Sequence, residues 1–361
     1  MSTLTVKAEQ LTIHEHPNAD ALELAQVGLY RAVVPKGVYK TGDWALYVPE
    51  QSVLPPELIE ELGLTGRLAG KDCNRVKAIR LRGELSQGIV CRPKALGLAW
   101  TELDAEETPG MGFAEILGIE KWVPPIPPEM AGEVEPAPEM IKWQDIENLQ
   151  RYPDIFGFGE PVVATEKIHG TCLAVTYDAR TGQLFVSSKG HNDKGLALVE
   201  SERNLYWRAA RAADLRAKME KIAGYTPSCQ RVAVFGEVFG AGVQDLHYGA
   251  NAGSDATLGF RVFDVALDLG VSTFFIDAKA FHHYCAAYEL DPVPILYSGP
   301  FDVEALQSVA TGQTKIGGEH IREGVVIRPE RESYSPILGG RKIAKLVSPD
   351  YLLRKGGTEF E

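Results

Sequence analysis

The stretch from Trp122 to Met140, WVPPIPPEMAGEVEPAPEM, carries six prolines and separates two differently patterned halves of the chain. Proline fixes φ and lacks an amide donor, so such a run cannot lie inside a helix or a central strand. It also lies in an acidic region, with eleven acids and two lysines between Thr101 and Asp145. A Pro-rich, acid-rich segment favours an extended, solvated chain. Residues 101–144 are therefore expected to be a linker or surface wrap between a domain at 1–100 and another at 145–361. Most of the net charge of −12 falls in this stretch. Bulk charge consequently does not exclude a polyanionic partner held by a local basic face elsewhere.

Before the linker, short alternating segments (LTVKAEQLTI, LELAQVGLYRAVVP, DWALYVPE, NRVKAIRLRGELSQGIVCRP) are separated by Pro, Gly and Asn-Asp breaks. PPELIEELG supplies one short helix. Five or so strands with one helix in about 95 residues predict a small all-β barrel, with an OB-fold as the leading choice. HEHPNADALELAQVG (His14 to Gly28) resembles the first hairpin of tRNA-binding OB modules, and LRGELSQGIV (Leu81 to Val90) their closing segment. Such barrels bind single strands by stacking and basic grooves. Basic residues here are not dense, so a nucleic-acid-binding domain and a purely structural appendage both stay open.

After the linker, strands are expected at VVATEKIHGTCLAVTYD, GQLFVSSKG, QRVAVFGEVFG, LGFRVFDVAL, REGVVIRPE and RKIAKLVS, with helices near Leu198–Lys221 and Ser272–Glu289. DIENLQRYPDIF reads as a short helix or turn. Strands mixed irregularly with helices predict an α+β domain on antiparallel sheets. There is no G-x-G-x-x-G at a strand-to-helix step and no Walker A motif, which argues against Rossmann and P-loop sites. Five scattered cysteines without C-x-x-C spacing point to a reducing, intracellular and cytoplasmic setting. No run of about 18 apolar residues occurs and the start, MSTLTVKAEQ, lacks a signal-peptide pattern, so no membrane association is expected.

Within the first of those strands Lys167 stands at the mouth of a glycine-containing turn, flanked by Val162 and Val163 before it and Leu173 to Val175 after it. Further along come FGEVFG (Phe235–Gly240), FRVFD (Phe260–Asp264), REGVVIR (Arg322–Arg328) and RKIAK (Arg341–Lys345), each setting a charged or aromatic residue among apolar ones. In this order they resemble the nucleotidyltransferase motifs of covalent lysine–AMP ligases. KIHG stands for motif I, FGEVFG for III, FRVFD for IIIa, EGVV for IV and KIAK for V. The histidine two residues after Lys167 makes motif I more similar to RNA ligases than to DNA ligases. Only sixteen residues follow Lys345, and the OB-like domain lies in front. That layout is similar to the Deinococcus-type RNA ligases, and it implies an α+β nucleotidyltransferase domain with an ATP-grasp-like ligase core.

The resemblance implies ATP and Mg²⁺ or Mn²⁺ as cofactors. Lys167 would attack the α-phosphate and hold AMP, splitting one hard ligation into easier steps. Lys345 would be the second cation, disfavouring a protonated nucleophile and neutralising phosphate. Lys342 would assist, although the family often spaces these two lysines more closely and Ile343 takes the usual place. Glu237 and Glu323 would hold the metal. Phe263 would stack on one adenine face and Val326 cover the other. Glu166 would accept the adenine amino hydrogens, Gly170 would let the backbone approach the nucleotide, and Ile168 would complete that wall. His169 would act in transferring AMP to the RNA phosphate. Lys189, in SSKGHN, stands where relatives carry an arginine, and Cys172 where some carry asparagine.

These roles make the expected function an ATP-dependent RNA ligase. It would seal 3′-OH/5′-phosphate nicks in duplexes with RNA on the 3′-OH side, in RNA repair, and would act as a monomer. A non-catalytic RNA-binding protein and an mRNA-capping-type guanylyltransferase remain the alternatives.

Overall fold

A computed structural model describes residues 4–100, 103, 112–128, 130–240, 242–249 and 258–358. The chain divides into two units, one built from residues 2–123 and 150–153, the other from 124–149 and 154–361 with Met1. Among the described residues no helix is long and apolar enough to cross a membrane, and all five cysteines are free.

In the N-terminal unit the strands Lys7–Gln10, Trp44–Val48 and Ile89–Cys91 form one three-stranded sheet, and Thr12–Glu15, Leu22–Val27 and Tyr30–Pro35 form another. The two three-stranded ladders are thus separate, with the two-stranded pairs Ser52–Val53/Glu120–Lys121 and Ile79–Leu81/Glu84–Ser86 beside them, and do not form one continuous closed barrel among the described residues. The cause is local. Leu11 leaves the ladder between the first two strands and exchanges backbone hydrogen bonds with Asp43 and Gly42, so one bent strand serves both sheets, as corners of small β-folds do. Alternate residues Ala25, Val27, Ala32 and Val34 point inward with Tyr30 and Tyr47. A second cluster, from Val6, Leu46, Val48, Leu54 and Leu58, also takes in Phe113, Leu117 and Ile119.

Those last three residues correct the linker expectation. Residues 112–123 are packed into the first core, and Met130, Ala137, Met140, Ile141 and Trp143 are buried in the second unit. The apolar residues between the prolines outweigh the tendency of the prolines to stay solvated, because each buried side chain of this size contributes about 1.5–3 kcal/mol. The most acidic part of the segment, residues 101–102, 104–111 and Glu129, lies outside the described residues.

The second unit holds two five-stranded sheets. One runs in the order Glu147–Asn148, Ala344–Val347, Gly324–Pro329, Pro161–Lys167, Ile295–Pro300. The other runs Gln183–Ser188, Thr171–Asp178, Arg231–Phe239, Gly259–Asp268, Thr273–Phe275. Pairing is antiparallel apart from Glu147–Asn148, which lies parallel to Ala344–Val347; a short helix or turn was expected there. In the second sheet, period-2 alternation sorts the faces. Leu173, Val175, Val232 and Val234 meet the helices Leu205–Ala212, Leu215–Tyr225 and Ala278–Ala287. Ala174, Ala233, Phe235 and Ala266 on the opposite face meet Trp143 and Ile343.

The helix expected over Leu198–Lys221 is two helices. Asn204 caps the first, accepting from the Tyr206 and Trp207 amides. Asp214, at φ 49°, breaks the run before the second, a left-handed conformation that ends a helix. The segment from Ser272 likewise begins as a strand, Thr273–Phe275, because it pairs with Ala266 to Asp268, and becomes helical only at Ala278.

Candidate active site

Lys167 is the last residue of its strand and lies opposite Gly324. The turn after it does not form a hairpin. The chain leaves one sheet at Lys167 and enters the other at Thr171, so the KIHG segment is a crossover. Its backbone is tied down on both sides. The His169 amide donates to Tyr248 Oη at 2.7 Å, and the Gly170 amide donates to Glu237 Oε1 at 3.2 Å. A Cβ at Gly170 would stand 2.1 Å from the Val238 carbonyl oxygen and 2.9 Å from Glu237 Cγ. The glycine is therefore required by the neighbouring strand, whatever approaches the cavity.

Residues from both sheets line a cavity of about 260 Å³, among them Lys167, Cys172, Glu237, Phe263, Val326 and Lys345. Register explains the convergence. Val326 faces Thr165 on one side and Lys345 on the other, and directly opposed residues project from the same face. Lys167 and Gly324 form the next row. Across the cavity, Cys172 lies opposite Glu237. Phe263 owes its placement to a bulge. The ladder pairs Phe235 with Asp264 and then Gly236 with Val262, leaving Phe263 unopposed, and bulges re-aim side chains in this way. Gly236 is part of the same device, since a Cβ there would sit 2.3 Å from the Phe260 ring.

The charges are strongly coupled. Lys167 Nζ lies 2.7 Å from Glu323 Oε1. Burial pushes the Glu237 carboxyl up to about 8; the Glu323 charge acts in the same direction and Lys167 against it. Burial likewise pulls the Lys345 ammonium down to about 8, helped by the positive charges of Lys167 and Lys189. Lys189 lines the cavity and its Nζ pairs with Asp145 Oδ1. The Cys172 thiol is raised well above its usual range by burial and by Glu237, which leaves it inert as a nucleophile.

Lys342, Glu166 and His169 depart from the expectations. Lys342 does not reach the cavity, because its Nζ is held by both Glu160 oxygens at 2.8 and 2.7 Å. The residue lies before the strand Ala344–Val347, and the spacing that set it apart from the family pattern turns it outward. Glu166 lines the cavity but is only 1% exposed. One of its oxygens accepts from Thr314 Oγ1 at 2.5 Å and the other from the Lys315 amide at 2.8 Å. Its carboxylate anchors that turn and is not free to read a base. Gly170 does line the cavity, and the neighbouring strand requires a glycine there as well. His169 is buried and not part of the cavity wall.

His169 is held from behind by residues that no motif marked. Its Nε2 lies 2.8 Å from Asp245 Oδ1, and its Nδ1 lies 2.8 Å from Tyr351 Oη. Arg354 donates to both Asp245 oxygens, from Nε at 3.0 Å and Nη2 at 3.1 Å. The Thr358 amide adds 2.8 Å to Oδ1. These donors hold the Asp245 carboxyl well below its usual range despite its burial. The segment 348–358 thus latches onto the crossover. Trp143 was also missed. Its ring lies 4.9 Å from Phe263 and 5.0 Å from Phe235, and its amide donates to Asn192 Oδ1 of the SSKGHN segment at 2.8 Å. Asp264, the last residue of FRVFD, is fully buried between Arg328 at 2.9 Å and Arg341 at 2.8 Å. A wholly buried carboxylate needs such partners, and that is the one signal from which they could have been sought.

Comparison with known proteins decides the family. A family model described as RNA ligase matches residues 160–347. The chain belongs to the RNA ligase family. An OB-fold domain model matches residues 5–93. Among solved structures, Naegleria gruberi RNA ligase with pyrophosphate is similar at TM-score 0.77 and 22% identity, over 97% of this chain and 98% of that one. A lysine-to-alanine variant of that RNA ligase with ATP and Mn gives 0.77 and 23%, over 96% and 98%. A glutamate-to-alanine variant with AMP and Mn gives 0.76 and 22%, over 97% and 98%. At this identity the likeness establishes the fold, an N-terminal OB-fold domain followed by a sheet-dominated RNA ligase core. No curated protein matches the chain.

Proposed function

We propose that this RNA ligase family member joins a 3′-OH to a 5′-phosphate through AMP carried on Lys167, taken from ATP with Mg²⁺ or Mn²⁺ present. The observation that carries the reading is the meeting of Lys167, Lys345 and Glu237 around one cavity with an aromatic wall, with Glu323 paired to Lys167 beside it. The Lys167 amine attacks the α-phosphorus, the P–N bond forms, and pyrophosphate leaves with the bond it held. AMP then passes to the 5′-phosphate of the nucleic acid and is displaced by the 3′-OH. Lys345, whose ammonium is pulled down to about 8 and stays protonated below that pH, offers the transferred phosphate a cation. Phe263 and Val326 supply flat apolar contacts suited to a base.

Among the described residues no group of three metal-ligating side chains converges. Two carboxyls near one lysine, Glu323 buried and Glu237 half-buried, still fit a hard divalent ion that keeps water and phosphate ligands. Glu237 and Glu323 would be its protein donors, and when bound such an ion neutralises phosphate charge and disfavours a protonated lysine. His169 is a positioning residue in this scheme, fixing the crossover that carries Lys167. The ATP- and Mn-bound Naegleria gruberi structures support the choice of nucleotide and ion.

The substrate we assign is a nick in a duplex with RNA on the 3′-OH side, a repair reaction. RNA differs by a 2′-OH at every nucleotide, and a misplacement of about 1 Å in the attacking group can cost about 10²-fold in rate. Two measurements test the reading. Labelled ATP should leave covalent label on the wild type, and neither labelled GTP on the wild type nor ATP on Lys167→Ala should do so. Four nicked duplexes that differ only in the sugar on each side of the break should then show fast sealing only with ribose at the 3′-OH end. Label on the Lys167 variant would remove that residue from the chemistry, and equal sealing of the all-DNA nick would remove the RNA preference.

A further inference from the structure

The segment from Arg67 to Arg82 opposes the acidic bias of the whole chain. It carries Arg67, Lys71, Arg75, Lys77, Arg80 and Arg82 against the single acid Asp72, in a protein of net charge −12. Its end is a two-stranded ribbon, Ile79–Leu81 with Glu84–Ser86. Leu81 pairs with Glu84, so Arg82 and Gly83 make a two-residue turn with φ of 50° and 95°. Turns with two positive φ values favour Asn-Gly or Asp-Gly. An arginine there is a locally unfavourable choice and needs a reason outside the backbone.

The ribbon is rooted in the OB-fold unit. The Val33 amide donates to Ser86 Oγ at 2.9 Å, the Gln87 amide donates to the Arg31 carbonyl at 2.8 Å, and His16 Nε2 lies 3.2 Å from the Leu81 carbonyl. Beyond this root it is bare. Every residue from Ile79 to Gly83 is exposed, with Ile79 at 47% and Leu81 at 37%. Glu84 and Leu85 are half-buried and Ser86 is buried, so only the outer strand and the turn face water, and no core justifies the two aliphatic side chains there. Arg75 is already committed to the Trp122 ring at 3.8 Å. Arg80, Arg82 and the exposed Arg31 beside the root have no carboxylate partner among the described residues.

We propose that this ribbon docks the nucleic-acid substrate, with Arg31, Arg80 and Arg82 on backbone phosphates and Ile79 and Leu81 against the sugars between them. Arginine suits phosphate through its forked donors, and loops of OB-folds are common sites of oligonucleotide contact. The inference deepens the proposed function and rests on it for the choice of ligand.

The test uses the full chain and a fluorescein-labelled nicked RNA–DNA duplex, without ATP and in EDTA, titrated from about 50 to about 300 mM salt. Arg80→Ala with Arg82→Ala should weaken binding about tenfold at low salt and reduce the log–log salt slope by about 2. Ile79→Ser with Leu81→Ser should weaken binding and leave the slope unchanged. Both doubles should keep the wild-type thermal transition, because the altered side chains are exposed, and both should take label from ATP as the wild type does. Wild-type affinity and slope in the two doubles would overturn the proposal. So would an arginine double that loses only its binding to anionic lipid vesicles. Failure of the wild type to take label from ATP would instead strike the ligase reading, leaving the binding result to judge the ribbon separately.

Discussion

Lys345→Met should make the protein more stable while abolishing its covalent label, and the gain should depend on pH in a stated direction. The ammonium is pulled from its ordinary 10.5 to about 8, by burial first and by Lys167 and Lys189 next. A displacement of that size corresponds to a penalty of about 3 kcal/mol at most on the charged form. Below pH 8 the lysine is protonated both folded and unfolded, so the whole penalty is present. Between pH 8 and 10.5 the unfolded chain holds a proton that the folded one has released. Wild-type stability should therefore climb with pH in that window, by up to about 1.4 kcal/mol per unit. Methionine matches the straight stem and carries no charge, so the variant lacks this climb. Urea unfolding from pH 6 to 10.5, in EDTA and without nucleotide, gives the difference between the two proteins. It should be about 1–3 kcal/mol in favour of the variant at pH 7 and shrink toward zero near pH 10.5. The titration of Glu237 is common to both and cancels. A difference that stays flat, or a variant less stable at pH 7, would refute the claim that this lysine is held at an electrostatic cost for its function.

Three further outcomes can be checked. Glu237 has its carboxyl raised from 4.5 to about 8, so its contribution to stability is lost as pH rises from 4.5 through 8; Glu237→Gln should flatten that decline in chemical unfolding curves, and with it the Mn²⁺ dependence of adenylation. Phe263→Ala should raise the KM for ATP about tenfold with a smaller effect on kcat, in line with loss of an aromatic contact of about 1 kcal/mol plus buried area; an unchanged KM would mean that the bulge serves packing alone. Asp245→Asn should release the 348–358 segment to limited proteolysis and slow AMP transfer from Lys167; with Tyr351 and Arg354 unchanged, wild-type protection would show that the latch does not depend on this carboxylate.

How much of this was readable beforehand depended on range. Local alternation placed the strands, because buried β-residues announce themselves every second position. The convergence of Lys167, Glu237, Phe263, Val326 and Lys345 on one cavity, with Glu323 beside Lys167, was readable because each sits in a strand or at its end, where a few neighbours fix the direction of a side chain. Lys342 failed for the same reason in reverse: two residues before the strand Ala344–Val347, its direction is set by Glu160, which lies 182 positions away. The His169–Asp245–Arg354–Tyr351 cluster carries no periodic signal, since its members come from a crossover, a loop and a terminal segment that meet only after folding.

The linker error has a different origin. Proline content reports what a segment cannot be, namely a helix interior or a central strand, and it does not report exposure. Residues 124–149 satisfy both prohibitions and still bury Met130, Met140, Ile141 and Trp143. An extended chain can lay apolar side chains on a core while joining ladders only in short pieces, here Val134–Pro136 with Leu196–Leu198 and Glu147–Asn148 with Ala344–Val347. Trp143 shows what that achieves here. Its ring backs Phe263 and its amide fixes Asn192 three residues beyond Lys189, while Asp145, two residues on, pairs with Lys189 itself. One irregular stretch therefore sets both the aromatic wall and a cavity cation. Trp143 also lines the cavity itself, so Trp143→Ala should raise the KM for ATP from outside the five motifs, through the lost ring and through the side chains it positions.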